Sequence, residues 1–228
     1  RQTITDYLGF EINEGEFKVM SLSSFGKPIY EKELKKIFDI DNFTINMDYF
    51  EFHKSPSKSF SKKLCEVFGD PYLNISEKIN FNKYADIASS AQLILEHTMK
   101  NLILKAIDLS GKKKVVLTGG VALNCKMIHS LSKQDIFEEL IVPPSPGDSG
   151  SAIGAANFAF LEKSKTKTLD FSGIFLGPKK NFINKKESKD NFFSKINLTN
   201  EFANETATKL IEGEIIASYY AVSYTHLT

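Results

Sequence analysis

The stretch KVVLTGGVALNC, residues 114–125, decides the fold class. Its apolar run Val115, Val116 and Leu117 predicts a buried strand over residues 114–118. The paired glycines Gly119 and Gly120 allow a tight turn. Helical spacing then predicts a helix over residues 122–131. A strand that turns directly into a helix is the building unit of α/β folds.

The segments on either side extend the same pattern. Residues 82–109 carry apolar side chains at helical spacing and end before Gly111, which predicts a long helix. Residues 140–142 predict a second strand, and residues 149–162 predict a helix of small residues. The order strand, helix, strand, helix indicates an α/β layer architecture. Weaker signals predict a helix end closing at Gly9, short helices over 31–38 and 57–68, a hairpin over 42–52, a helix over 201–212 and a strand over 214–220.

Composition excludes several classes of protein. The chain has 228 residues and a net charge of +1, so no global field attracts nucleic acid or an anionic membrane. No apolar run approaches the length that spans a membrane. Arg1 is the only arginine, so a phosphate would be held by backbone N–H groups, helix ends, lysine or a metal. We therefore expect a cytoplasmic protein with no membrane partner and no nucleic-acid partner.

The cysteines and histidines offer no metal pattern. Cys65 and Cys125 are far apart and match no metal-ligand spacing, so we expect two reduced, buried thiols. None of the histidines pairs with another at the short spacing that a metal site uses, which favours surface or half-buried structural roles. They are His53, His97, His129 and His226.

The glycine pair has two interpretations. Gly119 and Gly120 let a ligand approach the backbone without meeting a Cβ atom, and the helix that follows presents free N–H groups suited to a phosphate. Any α/β fold also needs strand-to-helix turns of this kind. From the pair alone both interpretations stand.

A second candidate motif is PPSPGDSGS, residues 143–151, which runs into Gly154. Asp148 follows a predicted strand and precedes a predicted helix, so its carboxylate could cap the helix. A hard carboxylate at the mouth of a phosphate site also suits a divalent cation. On residue types alone, the cap is the better interpretation.

A third candidate is GEFK, residues 15–18. Glu16 could hold a ribose hydroxyl and Lys18 a phosphate. On residue types alone, a solvated charge pair is the simpler interpretation.

Taken together, these segments resemble the carbamoyltransferase family, which includes nodulation-factor and aminoglycoside carbamoyltransferases. The order and spacing of the motifs fit that family over residues 6–221, and the combination is far more specific than any one motif. The segments that carry the resemblance are DYLGF (6–10), GEFKVM (15–20), FGKP (25–28), ADIASSAQ (85–92), GGVALNC (119–125), GDSG (147–150) and GAA (154–156).

The resemblance implies an actin-like ATPase (ribonuclease H-like) fold, of which this chain supplies the second half and the start of a downstream domain. In the family, a carbamoyl group from carbamoyl phosphate is joined to AMP from ATP and then passed to a hydroxyl of a sugar or natural product. A divalent metal sits near the nucleotide; it is iron in related tRNA-modifying enzymes, with magnesium the alternative here.

Carried over by position, the resemblance also assigns candidate residues. Asp148 is the candidate metal ligand, and no catalytic residue is assigned. The candidate nucleotide-binding residues are Gly119, Gly120, Val121, Asn124, Glu16 and Lys18.

The same comparison predicts the domain organisation. Residues 1–178 are expected to be the C-terminal part of the nucleotide- and metal-binding domain. Residues 179–221 are expected to be a linker and the start of the downstream domain, and residues 222–228 a non-native tail. The family's His-x-x-x-His metal pair and its carbamoyl-phosphate site are absent from the sequence. We therefore expect this fragment alone to be inactive.

Two other functions compete with this hypothesis. One is a tRNA threonylcarbamoyl-transfer enzyme of the same fold, whose motifs differ from this chain at Leu123 and before Asp148. The other is a non-catalytic nucleotide-binding domain that acts through interactions. Fold alone does not separate them.

Overall fold

A computed structural model of the chain describes residues 2–55, 58–72, 80–164 and 200–215. The chain divides into two units, Arg1–Phe158 and Ala159–Thr228. In the described ranges the helices are α1 (Gln2–Tyr7), α2 (Glu16–Leu22), α3 (Glu31–Ile37), α4 (Lys62–Phe68), α5 (Phe81–Ser110), α6 (Cys125–Ser132), α7 (Gly150–Lys163) and α8 (Asn200–Ile211). The strands are β1 (Phe38–Asp39), β2 (Thr44–Ile45), β3 (Lys114–Val116) and β4 (Glu139–Ile141).

Helix α5 is the longest of the described helices, and its prediction is confirmed. The side chain of Asn80 accepts a hydrogen bond from the backbone N–H of Lys83, which caps the start of the helix. Gly111 ends it in the left-handed conformation, at φ 65°, where a glycine carries no steric cost. The helix therefore begins and ends where the sequence supplies capping residues.

Helices α2 and α3 pack against α5, and α1 and α4 share the same apolar core; we call this assembly the helical cluster. Its core is apolar and fully buried. Tyr7 lies at the centre, with its ring edge-on to the rings of Phe60 and Phe68. Its hydroxyl donates a 2.6 Å hydrogen bond to the carbonyl of Gly69. Burial raises the pKa of Tyr7 well above its ordinary value, so the hydroxyl stays protonated.

The FGKP segment is fixed to α5 by backbone contacts. Gly26 lies directly against the carbonyl of Ala85, with no room for a Cβ atom. The backbone N–H of Lys27 donates to the carboxylate of Asp86 at 2.6 Å, and that of Tyr30 donates to the hydroxyl of Ser90 at 3.0 Å. The ADIASSAQ segment therefore holds the loop in place.

A small hairpin follows α3. Strands β1 and β2 pair antiparallel, with Phe38 opposite Ile45. The carboxylate of Asp39 accepts hydrogen bonds from Asp41 and Asn42, which closes the turn. The hairpin predicted over residues 42–52 was wrong in position: its first strand precedes Asn42, because the turn lies at residues 40–43. Residues 47–49 form a short 3-10 helix.

Strands β3 and β4 form a parallel pair, with Val115 opposite Leu140. One face packs on a second core that includes Met99 and Ile103 of α5 with Met127 and Leu131 of α6. The other face is exposed, and Val116 shows 62% of its surface. Alternate residues of a strand face opposite sides. The prediction of a buried strand over residues 114–118 was therefore wrong for one face, since the described elements cover the other face only. Strand β3 also ends at Val116 rather than Thr118.

The predictions for the residues after 148 have different outcomes. Helix α7 is confirmed, although none of its described side chains is buried. Helix α8 is confirmed in the second unit. Glu214 and Ile215 are not in a strand, and residues 216–220 of the predicted strand lie outside the described residues. The predicted domain boundary at 178/179 and the predicted tail at 222–228 also lie outside the described residues, so both stay predictions.

The thiols differ from each other. Cys65 is half-buried, and burial raises the pKa of its thiol. Cys125 is exposed at the first position of α6, so the prediction of two buried thiols was wrong for Cys125. The buried face of α6 is formed by Met127 and Leu131 instead.

Candidate functional site

Two loops meet at the carboxyl ends of β3 and β4. We call residues 117–124 the glycine turn and residues 142–150 the aspartate loop. The backbone N–H of Leu117 donates to the carbonyl of Ile141 at 2.9 Å, and that of Gly119 donates to the carbonyl of Pro146 at 2.7 Å. The two sequence motifs therefore form one continuous surface. The carboxyl ends of parallel strands are where α/β proteins bind ligands.

The glycine turn needs its first glycine for its shape and leaves open space at its second. Gly119 has φ 93°, a conformation that favours glycine. A Cβ atom at Gly119 or Gly120 would meet nothing within 4 Å. Residues Gly120–Leu123 then form a 3-10 helix, which begins with backbone N–H groups directed away from its own carbonyls. Gly120 and Val121 thus offer an accessible backbone to a ligand.

Asn124 closes the glycine turn from inside the protein. Its side-chain oxygen accepts a hydrogen bond from the backbone N–H of Met127 at 2.9 Å, which caps α6. Its amide also pairs with the amide of Gln92 on α5. Only 1% of Asn124 is exposed. The predicted nucleotide contact by Asn124 stays a prediction, but in this structure its polar atoms bond within the protein.

Asp148 lies in the turn before α7 and is exposed. Its backbone carbonyl accepts hydrogen bonds from the N–H and hydroxyl of Ser151. Its carboxylate makes no hydrogen bond or ion pair with any residue in the described ranges, so the capping role is not observed. The hydroxyl of Ser149, next to the start of α7, pairs with the hydroxyl of Ser145 at 2.7 Å.

The described residues do not make a metal site by themselves. No group of three His, Cys, Asp or Glu side chains comes together in this part of the chain. Asp148 is a hard oxygen donor, but a single carboxylate does not hold a divalent cation firmly in water. The described residues therefore give Asp148 an accessible position but no group of three such side chains around it.

Glu16 and Lys18 lie on the first turn of α2. The carboxylate of Glu16 accepts a hydrogen bond from the backbone N–H of Asn13 at 3.1 Å. The ammonium of Lys18 lies 5.9 Å from the ring centres of Phe10 and Phe17. These contacts are local and stabilise the start of the helix.

The far end of α2 touches the start of α6. The thiol of Cys125 lies 3.8 Å from the sulfur of Met20, and the ammonium of Lys126 donates to the hydroxyl of Ser23 at 3.0 Å. Glu16 precedes Met20 by about one helical turn, or about 6 Å along the axis. Glu16 is therefore on an element whose far end flanks the glycine turn.

Two residues of the site were missed by sequence reasoning. Gln92 and Lys126 hold the glycine turn and α6 to their neighbours. Gln92 lies in a segment that carries the family resemblance, but nothing in the sequence indicated its partner. A contact between residues 32 positions apart depends on the packing of α5 against α6.

Comparison with known proteins decides the family. The family described as carbamoyltransferase N-terminus matches residues 2–157, which is more than half of the chain. This chain belongs to the carbamoyltransferase family. The match ends one residue before the end of the first structural unit, at Phe158. The resemblance seen in the sequence motifs is confirmed.

Individual relatives agree with this assignment. An uncharacterized protein of Synechocystis sp. is 32% identical over 184 residues, covering 77% of this chain and 30% of its own length. Nodulation protein NolNO of Sinorhizobium fredii is 29% identical, covering 66% of this chain and 21% of its own length. Nodulation protein U of Bradyrhizobium diazoefficiens is 29% identical, covering 49% and 20%. The carbamoyltransferase chain described here thus spans less than a third of these relatives.

The described helices also bear on membranes. None of them is both long enough and apolar enough to cross a lipid bilayer. The longest, α5, has 30 residues but carries charged side chains along its length.

Proposed function

We propose that this chain is the nucleotide-binding part of an O-carbamoyltransferase. In the whole protein, the carbamoyl group of carbamoyl phosphate is joined to AMP from ATP, and the carbamoyl-adenylate is passed to a hydroxyl of a sugar or natural product. The proposal includes the actin-like ATPase fold for the complete domain and a cytoplasmic location. Family membership supports carbamoyl transfer in general.

One observation carries the proposal. The glycine turn and the aspartate loop, which both contain family motifs, are hydrogen-bonded to each other through Gly119 and Pro146 at the ends of parallel strands. The exposed backbone of Gly120 and Val121 lies on the same surface. Backbone N–H groups are the phosphate donors expected in a chain whose only arginine is Arg1.

The chemistry explains why such a surface is needed. A hydroxyl is a poor nucleophile at neutral pH, and a mixed anhydride with AMP makes the carbamoyl carbon electrophilic with a stabilised leaving group. Gly120 and Val121 would orient that phosphate and stabilise its charge. Glu16 and Lys18 would lie on the nucleoside side of the same surface.

Asp148 is proposed as one ligand of a divalent cation, iron or magnesium. The remaining ligands would come from outside the described residues, because these contain no metal-binding group of three.

The test is a Gly120→Ala substitution. A Cβ atom at Gly120 meets nothing in the protein, so the variant should fold with unchanged stability. The same atom would lie where a phosphate approaches, and we expect ATP affinity to fall by about tenfold or more, measured by calorimetric titration. Gly154→Ala on α7, where a Cβ is also free of contacts, is the control and should bind as the parent does.

Two results would sink the proposal. One is a parent chain that does not bind ATP or AMP. The other is a Gly120→Ala variant that binds as tightly as the parent. Carbamoyl transfer by the full-length protein to a small hydroxyl compound, rather than modification of tRNA or no turnover, would separate the proposal from its two alternatives.

A further inference from the structure

The orientation of the Asn124 side chain is fixed at one end by α6. Its oxygen accepts the backbone N–H of Met127 at 2.9 Å. The oxygen and nitrogen of an amide are assigned from their partners, and an N–H donor identifies the acceptor atom. The amide nitrogen of Asn124 therefore faces away from that N–H group, toward α5.

Gln92 meets this amide with a matching orientation. Its oxygen accepts from the nitrogen of Asn124 at 2.8 Å, and its nitrogen donates to the oxygen of Asn124 at 3.1 Å. The nitrogen of Gln92 also donates to the carboxylate of Glu96 at 2.9 Å, which fixes the second amide in turn. Both amides in the series Glu96, Gln92, Asn124 and Met127 thus have a single orientation, each fixed by a partner outside the pair.

Burial strengthens the hydrogen bonds of this amide pair and keeps water from replacing them. Gln92 is 6% exposed and Asn124 is 1% exposed. A buried amide that loses its partner pays a desolvation penalty that water cannot offset. Asn124 therefore cannot turn toward a ligand without breaking its cap on α6 and its pairing with Gln92.

We propose that Gln92 is a positioning residue for the glycine turn, and that Asn124 acts through the same amide pair rather than by touching the ligand. Asn124 is the residue at which the 3-10 helix ends and α6 begins. By holding its side chain, α5 sets the direction in which the backbone of Gly120 and Val121 faces. The link to nucleotide binding rests on the proposed function; the amide pair itself does not.

The same segment of α5 anchors a second loop. Asp86 and Ser90 accept hydrogen bonds from the backbone N–H groups of residues 27 and 30, and both lie within about two turns before Gln92. A single helix therefore holds both loops, and this gives the polar side chains on the inner side of α5 a structural role.

The experiment compares Gln92→Met with Thr98→Val in the 228-residue chain. Met keeps the length of Gln and removes its three hydrogen bonds. Thr98 is on the same helix, and among the described residues its hydroxyl bonds only the carbonyl of Ile94. Thr98→Val is therefore the matched control, which removes a polar group that does not bond the glycine turn. Amide hydrogen exchange is read at Met127, Ala122 and Asn124, with Gly111 as the reference.

In Gln92→Met we expect exchange at Met127 and in the glycine turn to accelerate by about tenfold or more, with Gly111 unchanged. In Thr98→Val all of these amides should exchange as in the parent. Unchanged exchange at Met127 in Gln92→Met would overturn the proposal. Acceleration that is equal at Gly111 would also overturn it, because the role would then be general stability.

A second variant and a second readout complete the test. Asn124→Asp keeps the oxygen that caps α6 and removes the donor to Gln92, so it should accelerate exchange in the turn even if Gln92→Met does not fold. ATP affinity should fall in both variants and stay unchanged in Thr98→Val. If the parent binds no ATP while exchange responds as expected, the proposed function fails and the amide pair stands. If the parent binds ATP and both variants bind it equally well, the positioning role fails.

Discussion

The helical cluster and the strand–loop region, residues 114–158, are built on different principles. In the cluster, Tyr7, Leu34 and Ile87 have no exposed surface. In the strand–loop region, Val116 is 62% exposed and Leu123 is 63% exposed. The first region is held by apolar burial, which is strong and insensitive to small shifts in direction. The second rests on a smaller apolar core through one face, and its exposed loops are joined by a few directional hydrogen bonds.

The difference explains where the function lies. Candidate ligand-binding residues are on the exposed glycine turn and aspartate loop, and the cluster supplies the rigid helix to which they are attached. Loops placed on a rigid scaffold are the usual carriers of binding residues. The cluster should therefore respond to substitutions through stability, and the strand–loop region through binding.

The largest difference in stability loss is expected between substitutions at two leucines, one in each region. Leu34→Ala removes a side chain with 0% exposure from the cluster and should lower the free energy of unfolding by about 2–5 kcal/mol. Leu123→Ala removes one that is 63% exposed and should change it by about 0.5 kcal/mol or less. Urea denaturation followed by circular dichroism measures both. Equal losses for the two variants would show that the regions are packed alike.

Substitutions at two glycines should change the stability of the chain in opposite directions. A Cβ atom at Gly26 would collide with the backbone of Ala85, which belongs to a rigid helix, so Gly26→Ala should destabilise the chain by about 1–3 kcal/mol. Gly154 is inside α7 with free space around it, so Gly154→Ala should stabilise it by about 0.5–1 kcal/mol. Thermal denaturation of both variants checks the signs. A stable Gly26→Ala would mean that the FGKP loop is not held against α5 as described.

Tyr7 should make the stability of the helical cluster depend on pH in the alkaline range. Tyr7→Phe removes the hydrogen bond to Gly69 and should cost about 1 kcal/mol at neutral pH. Because burial raises the folded pKa of Tyr7, its contribution is complete below the unfolded pKa, about 10, and is lost as pH rises through the folded value.

The parent and Tyr7→Phe should therefore converge in melting temperature between neutral pH and strongly alkaline pH. Comparing the two proteins removes the effect of lysine titration, which they share. The strand–loop region contains no tyrosine, so this convergence belongs to the cluster. A gap in melting temperature that stays constant with pH would contradict the buried, protonated hydroxyl.

The sequence predicted the elements that depend on local signals. Helix α5 was predictable because its apolar spacing, its end at Gly111 and its length agree. The glycine turn was predictable because Gly119 needs a conformation that few other residues adopt. The two loops were predicted as motifs, and their hydrogen bond through Pro146 came from the parallel pairing of β3 with β4.

What the sequence could not predict depends on long-range packing. Val116 looks like a core residue, and only the structure shows which face of β3 is covered. The hairpin was misplaced because the turn at Asp39 is fixed by side-chain hydrogen bonds that hydrophobic alternation does not reveal. The pairing of Gln92 with Asn124 joins two helices, and no pattern in either segment encodes it.

The most direct test of the account is a titration of the isotope-labelled chain with ATP, followed by nuclear magnetic resonance of the backbone amides. We predict that shifts appear together in the glycine turn and the aspartate loop, at residues 117–124 and 145–150, while the hairpin at residues 38–45 stays unchanged. Shifts confined to the helical cluster, or no shifts at either loop, would contradict the claim that the two motifs form one nucleotide-binding surface.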